Sequence, residues 1–198
     1  MTYELEYVAG LVASDGHISK DFGVAIYSKN RAFAKYIKSL IEKISNKNVH
    51  IYKGKGSLKI LIFDKELVEK LGKKFRICIG KKCNVLKFPI DLTENEKINF
   101  LKGYVDGDGS LYMDKRKRYG KEYKYIRIEI ASQTKEFLEE MRIFLQKLDI
   151  KCGEVTEGKR VFRFRIYSKN AIMFLRKVGF SHPDKIFSFP KPQAVEKF

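Results

Sequence analysis

Asp15-Gly16 and Asp108-Gly109 close two similar runs, "YVAGLVASDG" (7–16) and "FLKGYVDGDG" (100–109), set 93 residues apart. One apolar run ending in Asp-Gly reads as a helix that stops at a glycine C-cap. Two matched runs ask for more. Each holds a glycine at the same place, Gly10 and Gly103. A glycine inside a helix costs about 1 kcal/mol relative to alanine, a cost that very close packing against another backbone can recover. Ala9 and Ala13 flank the first glycine and Gly107 follows the second. Two helices with such faces can pack on each other, and their C-terminal ends then bring Asp15 and Asp108 together. Neighbouring carboxylates repel unless a cation lies between them. A hard divalent ion with oxygen ligands suits that place, and Mg²⁺ completes its shell with waters and phosphate. A metal-filled site facing a polyanion is suited to phosphodiester hydrolysis.

The rest of the chain supplies the polyanion's counterpart. Its 198 residues allow one sizeable domain or two small ones sharing a core. Apolar residues are 44% and aromatics 13%, which predicts a folded core and excludes a disordered chain. The net charge of +17 is spread evenly, +9 over 1–92 and +8 over 93–198. Such an excess fits nucleic acid first and an anionic membrane surface second. The opening "MTYELEY" has no basic stretch leading into an apolar run, and no segment approaches the ~18 apolar residues that span a bilayer. The expectation is an intracellular protein without a membrane partner. Cys78, Cys83 and Cys152 make an odd number without a paired framework, which fits a reduced compartment. Cys78 and Cys83 could start a zinc site, but no second ligand pair follows.

The elements that must position the acids read twice. The first set is a helix at 4–14, strands at 17–20 and 23–28, and a helix through "RAFAKYIKSLIEKI". Strands at 48–53 and 57–63 and a helix at 65–72 complete it. The second set is a helix at 94–106 opened by "TENE", strands at about 109–115 and 122–131, and a helix at 134–148. Strands at 153–157 and 161–167 and a helix at 169–178 follow. "IYSKN" occurs at 26–30 and again at 166–170, each copy placed to end a strand and cap a helix. The predicted class is α+β: two pseudo-symmetric αββαββα repeats, each a curved antiparallel sheet on helices, joined at a two-helix interface. The repeats span 1–88 and 96–198, with 89–95 as linker.

"VAGLVASDG" (8–16) resembles the LAGLIDADG motif of homing endonucleases at Ala9, Gly10, Leu11, Asp15 and Gly16. "LKGYVDGDG" (101–109) resembles it at Leu101, Gly103, Asp106, Asp108 and Gly109. With the repeated element order, the chain is similar to the family's two-motif monomers over nearly its whole length. The resemblance implies an endonuclease that cuts both strands of a long pseudo-palindromic DNA site, leaving 3′ overhangs. It implies Mg²⁺ as cofactor, with Mn²⁺ as a substitute and Ca²⁺ binding without supporting cleavage. Asp15 and Asp108 would bind the metals, assisted by the backbone carbonyls of Ser14 and Gly107. The helix interface would be Ala9, Gly10, Ala13, Gly103 and Gly107. Asp106 would be a helix-end or supporting carboxylate. The junctions Ser28-Lys29 and Ser132-Gln133 would supply Lys29 and Gln133 beside the acids. "GFSHPDK" would supply Lys185, and "IGKKCN" offers Lys81 or Lys82, between which the pattern does not choose.

Alternation along the strands predicts the DNA face. With Phe22, Val24 and Ile26 toward the helices, Gly23, Ala25 and Tyr27 point outward, followed by Ser28. With Ile126, Ile128 and Ile130 inward, Tyr125, Arg127 and Glu129 point outward. Phe162, Phe164 and Ile166 inward put Arg163, Arg165 and Tyr167 outward, and Lys59 lies on the matching strand of repeat one. Arginine suits bidentate guanine contacts and Glu129 could accept from cytosine. "KRKRYGK" (115–121), with Arg116 and Arg118, is expected to be a basic loop on backbone phosphates. "DGDGSLYMD" is not an EF-hand, because Leu111 stands where the loop needs glycine and Lys117 where it needs glutamate. The family also includes RNA-splicing maturases, which would add intron RNA as a partner, and regulators that bind DNA without cutting. Both roles stay open. Location follows the host: nucleoid or cytoplasm of a prokaryote, or an organelle.

Overall fold

The computed structural model describes residues 3–80 and 86–186. Repeat one runs α1 (Glu4–Asp15), β1 (Gly16–Ile18), β2 (Gly23–Ser28), α2 (Arg31–Ser45), β3 (His50–Lys53), β4 (Leu58–Phe63) and α3 (Lys65–Phe75). Repeat two runs α4 (Glu94–Asp108), β5 (Gly109–Arg118), β6 (Lys121–Ser132), α5 (Lys135–Lys147), β7 (Thr156–Glu157), β8 (Phe162–Tyr167) and α6 (Ser168–Lys177), followed by α7 (Pro183–Ile186). Each repeat holds one antiparallel sheet, ordered β1-β2-β4-β3 and β5-β6-β8-β7. The predicted α+β duplication is the observed architecture.

Local chemistry sets the element ends. Asn30 accepts from the Phe33 amide at 3.0 Å and opens α2, whose Phe33, Ile37, Leu40 and Ile41 form its buried stripe. Asp64 caps α3 through the Glu66 and Leu67 amides, and Thr93 with Glu96 forms a reciprocal capping box on α4. Val24 pairs with Ile62 and Ile26 with Ile60, so these four side chains face the helices; Ile128 with Ile166 and Ile130 with Phe164 repeat the arrangement. One continuous apolar core joins both repeats.

The centre of that core is the α1–α4 seam. A Cβ on Gly10 would overlap the Phe100 carbonyl oxygen and lie 2.6 Å from the Tyr104 nitrogen. A Cβ on Gly103 would overlap the Tyr7 carbonyl oxygen and lie 3.1 Å from the Leu11 nitrogen. The obstacles are backbone atoms, so only glycine allows this approach. Ala9 and Ala13 are buried beside it.

The structure departs from expectation in four places. "KRKRYGK" is not a loop: β5 runs to Arg118, β6 starts at Lys121, and Tyr119 (φ 49) and Gly120 (φ 75) make a two-residue turn. Two adjacent positive-φ residues match the twist of a hairpin, which lets the strands pair up to the turn. Gly23 and Ala25 keep the predicted phase but are buried rather than exposed, Gly23 lying against the Ser19 and Phe63 side chains. The two "IYSKN" copies differ. Asn30 caps α2, whereas α6 starts at Ser168 (φ 46) with no side-chain cap, and Asn170 is recruited by the Lys151 amide at 3.1 Å. The short α7 follows "GFSH" and is too short to show periodicity.

Candidate active site

α1 and α4 end side by side at Asp15 and Asp108, both exposed. A Cβ on Gly107 would overlap the Ser14 side chain and lie 3.1 Å from Asp15 Oδ2, so the first acid lies against the residue before the second. Neither helix has a basic residue in its last turn. Two carboxylates and two negative helix ends thus converge. Positive charge arrives from elsewhere in the chain. Lys185, on α7, donates from Nζ to the carbonyl oxygens of Val105 (2.7 Å), Asp106 (2.7 Å) and Gly107 (3.1 Å). Burial lowers its pKa from the ordinary lysine value, while Asp106, Asp15 and Asp108 act to raise it.

Asp106 holds that lysine's segment in place. Its carboxylate is buried, 3% exposed, and accepts from the Tyr7 hydroxyl at 2.6 Å, the Ser181 amide at 3.0 Å and the His182 amide at 3.0 Å. Burial and the adjacent carboxylate push the Tyr7 phenol far above its usual range, so it stays a donor. Sequence reasoning gives Asp106 as a helix-end or supporting carboxylate without naming its partners. Its partners lie 75 residues or more away in sequence, and nothing local marks them. His182 also escaped notice. Its ring packs 4.3 Å from Phe33, and burial, then Lys185, lower its pKa.

Two cavities flank the helix ends. The larger, about 390 Å³, is lined by Asp15, Gly107, Asp106, Ser28, Lys29, Asn30, His182 and Lys185 among others. The smaller, about 90 Å³, is lined by Asp108, Ser14, Ala13, Ser132, Gln133 and Thr134 among others. Each joins one motif's acid, the other motif's preceding residue, and a strand-to-helix junction. Lys29 and Gln133 hold matching positions, one in each. The junctions are built alike: Ser28 Oγ accepts from the Asn30 amide at 3.2 Å, and Ser132 Oγ from the Thr134 amide at 3.1 Å. Ser28 is buried in that turn at the cavity wall and does not project as an outward base reader. Lys82 lies outside the described residues. Among the described residues no three His, Cys, Asp or Glu side chains gather into a metal cage. The donors at the helix ends are all oxygens, the chemistry of a hard ion that keeps waters and phosphate in its shell.

Residues 2–76 and 95–179 each match the model of a LAGLIDADG-like domain. The chain belongs to the LAGLIDADG family. It is 28% identical over 164 residues to the protein MJ0314 of Methanocaldococcus jannaschii, covering 80% of this chain and 59% of that one. The chain thus spans about three fifths of the length of this curated relative. Among solved structures, I-DmoI in complex with DNA and Ca is 17% identical with a TM-score of 0.70, over 93% of this chain and 96% of that one. The homing endonuclease I-WcaI, bound to its DNA recognition sequence, is 18% identical with a TM-score of 0.64, over 94% and 85%. These likenesses establish the two-domain homing-endonuclease fold.

On the LAGLIDADG sheets the strand faces have the predicted phase. Tyr27 and Tyr167 are exposed, and Lys59, Tyr125, Arg163 and Arg165 are half-buried on the side away from the helices. Glu129, Arg127, Arg163 and Arg165 are each engaged within the protein. Glu129 accepts from Arg165 at 2.6 Å and pairs with Arg163 at 3.5 Å. Arg127 pairs with Asp114 at 2.5 Å and lies over the Tyr167 ring at 5.1 Å. Arg116 also reaches Asp114, at 2.8 Å. Alternation gives the face of a side chain but not its ion partner on the next strand. Among the described residues no helix is long and apolar enough to cross a membrane.

Proposed function

We propose that the chain is a site-specific DNA endonuclease of the homing type, acting as a monomer of repeats 1–88 and 96–198 joined by 89–95. One observation carries this: the two motif helices end together on a +17 protein, with Asp15 against Gly107, the residue before Asp108. The I-DmoI complexes with DNA and Mg, Mn or Ca support a duplex partner and a divalent ion. Asp15 and Asp108 would hold the ion, with backbone oxygens of Ser14 and Gly107. When bound, it supplies charge neutralisation at phosphate and an activated water. Around it, Lys185 brings positive charge to the shared end of the helices. Lys29 and Gln133 line the two cavities, each able to orient water or phosphate oxygens for one strand. The outward tyrosines and arginines of both sheets would face the groove.

Selection of cut sites from pooled DNA tests the reading. With Mg²⁺ or Mn²⁺ the protein is expected to make double-strand breaks at one long, imperfectly palindromic site, and with Ca²⁺ to bind it uncut. Asp15→Asn and Asp108→Asn should each lower cutting on the order of 10²-fold or more while sparing binding. Normal cutting by both variants would refute the site. Binding without any cutting by the native chain would make it a regulator.

A further inference from the structure

The two repeats differ most in their first hairpin. β1 has 3 residues, whereas β5 has 10 and pairs with β6 as far as Arg118↔Lys121. The helix-facing side of this ribbon is apolar at Leu111, Met113, Ile126 and Ile128. It then turns to Lys115, Lys117, Glu122 and Lys124, all exposed. A strand pair polar on that side has no core beneath it. Residues 115–124 therefore form a two-stranded ribbon standing clear of the body. Such a ribbon alone is marginal in water, which fits a segment braced by what it binds. Those ten residues carry six basic side chains and one acid. Tyr123 stacks with Tyr125 at 6.4 Å, and Tyr119 stands 99% exposed at the tip. The charge fits a phosphate backbone, and exposed tyrosines add hydrogen-bonding tips.

We infer that residues 115–124 are an arm that extends the duplex contact on the repeat-two side alone, so the recognised site is longer on one flank. The inference rests on the DNA-binding reading above. β5 outruns β1 by seven residues. At ~3.4 Å per residue and ~3.4 Å per base pair, that is at most about seven extra base pairs when the arm lies along the groove.

Hydroxyl-radical footprinting of the full chain on its selected site, in Ca²⁺, tests this. Protection is expected to reach about four to seven base pairs farther from the centre on one flank. Replacing 115–124 by Asn-Gly should erase that extra protection and leave the other flank intact. A second variant keeps the chain length: Arg116→Gln, Lys117→Gln and Lys121→Gln together should reduce the slope of log affinity against log salt by about 2.7. Equal flanks, or variants with unchanged footprint and slope, overturn the arm while leaving the endonuclease reading intact. Failure of the full chain to bind DNA removes both.

Discussion

Gly10→Ala and Gly103→Ala set two physical effects of opposite sign against each other. By helix propensity alone each should stabilise its helix by about 1 kcal/mol. At the seam each new methyl would meet backbone of the facing helix, the Phe100 oxygen and Tyr104 nitrogen in one case and the Tyr7 oxygen in the other. Overpacking costs typically 1–3 kcal/mol, and obstacles that are backbone rather than side-chain tips put these sites near the upper figure. Net destabilisation should be about 2 kcal/mol, or roughly 4–8 °C in Tm for a chain of this size. Gly72→Ala is the control. It lies within α3, and its nearest foreign atom would be the Ile77 oxygen at an ordinary 3.8 Å. That variant should gain stability, by up to about 1 kcal/mol. Because the seam ends at Asp15 and Asp108, the seam variants should also lose cleavage at temperatures where they remain folded. Thermal melts of the three variants, with cleavage at 25 °C, read both effects. Seam variants as stable as Gly72→Ala would refute the close approach.

A double-mutant cycle on Tyr7→Phe and Asp106→Asn should show coupling of about 1 kcal/mol or more in urea melts, because the buried pair shares one charge-assisted hydrogen bond. Asp106→Asn should also lower cutting more than duplex binding, through a loosened Lys185. Glu96 is held down to a pKa of about 2 from 4.5 by the Lys74 hydrogen bond first and then by Thr93. A depressed carboxylate stabilises above its unfolded pKa, and that part is lost as pH falls through the folded one. Stability should therefore drop between about pH 4.5 and pH 2, with a smaller drop in Glu96→Gln when melts are compared across that window.

Most of the fold was legible because it is written in local chemistry. The stripe of α2, the capping box of α4 and the alternation of β6 and β8 each use neighbours within one element, and the duplication doubled every signal. The seam was legible for a different reason: a glycine that costs helix stability twice, 93 residues apart, needs a shared cause. What escaped reading is non-local. The Asp106 clasp joins α4 to α1 and to residues 181–182, and the Glu129 pairs cross from β6 to β8. Charge along 115–121 reads as solvent exposure, and an exposed ribbon carries the same charge as a loop. The strand pairing as far as Arg118↔Lys121 and the positive φ of Tyr119 and Gly120 distinguish the two.

The same offset that pairs the motifs shows where the halves have parted. Tyr7 corresponds to Phe100, and Ala13 to Asp106. Across the seam Tyr7 meets Asp106 by hydrogen bond, whereas Phe100 and Ala13 can make no such bond. Tyr7 relies on Asp106 as the acceptor of its buried hydroxyl. Asp106 does not rely on Tyr7 in the same way. Its carboxylate has capacity beyond Tyr7 and takes the Ser181 and His182 amides as well, which anchors the segment carrying Lys185. Pseudo-symmetry is thus broken at the helix ends themselves: the Lys185 cavity holds about 390 Å³ against about 90 Å³ opposite. Asp15 and Asp108, equivalent in motif, work in unequal surroundings.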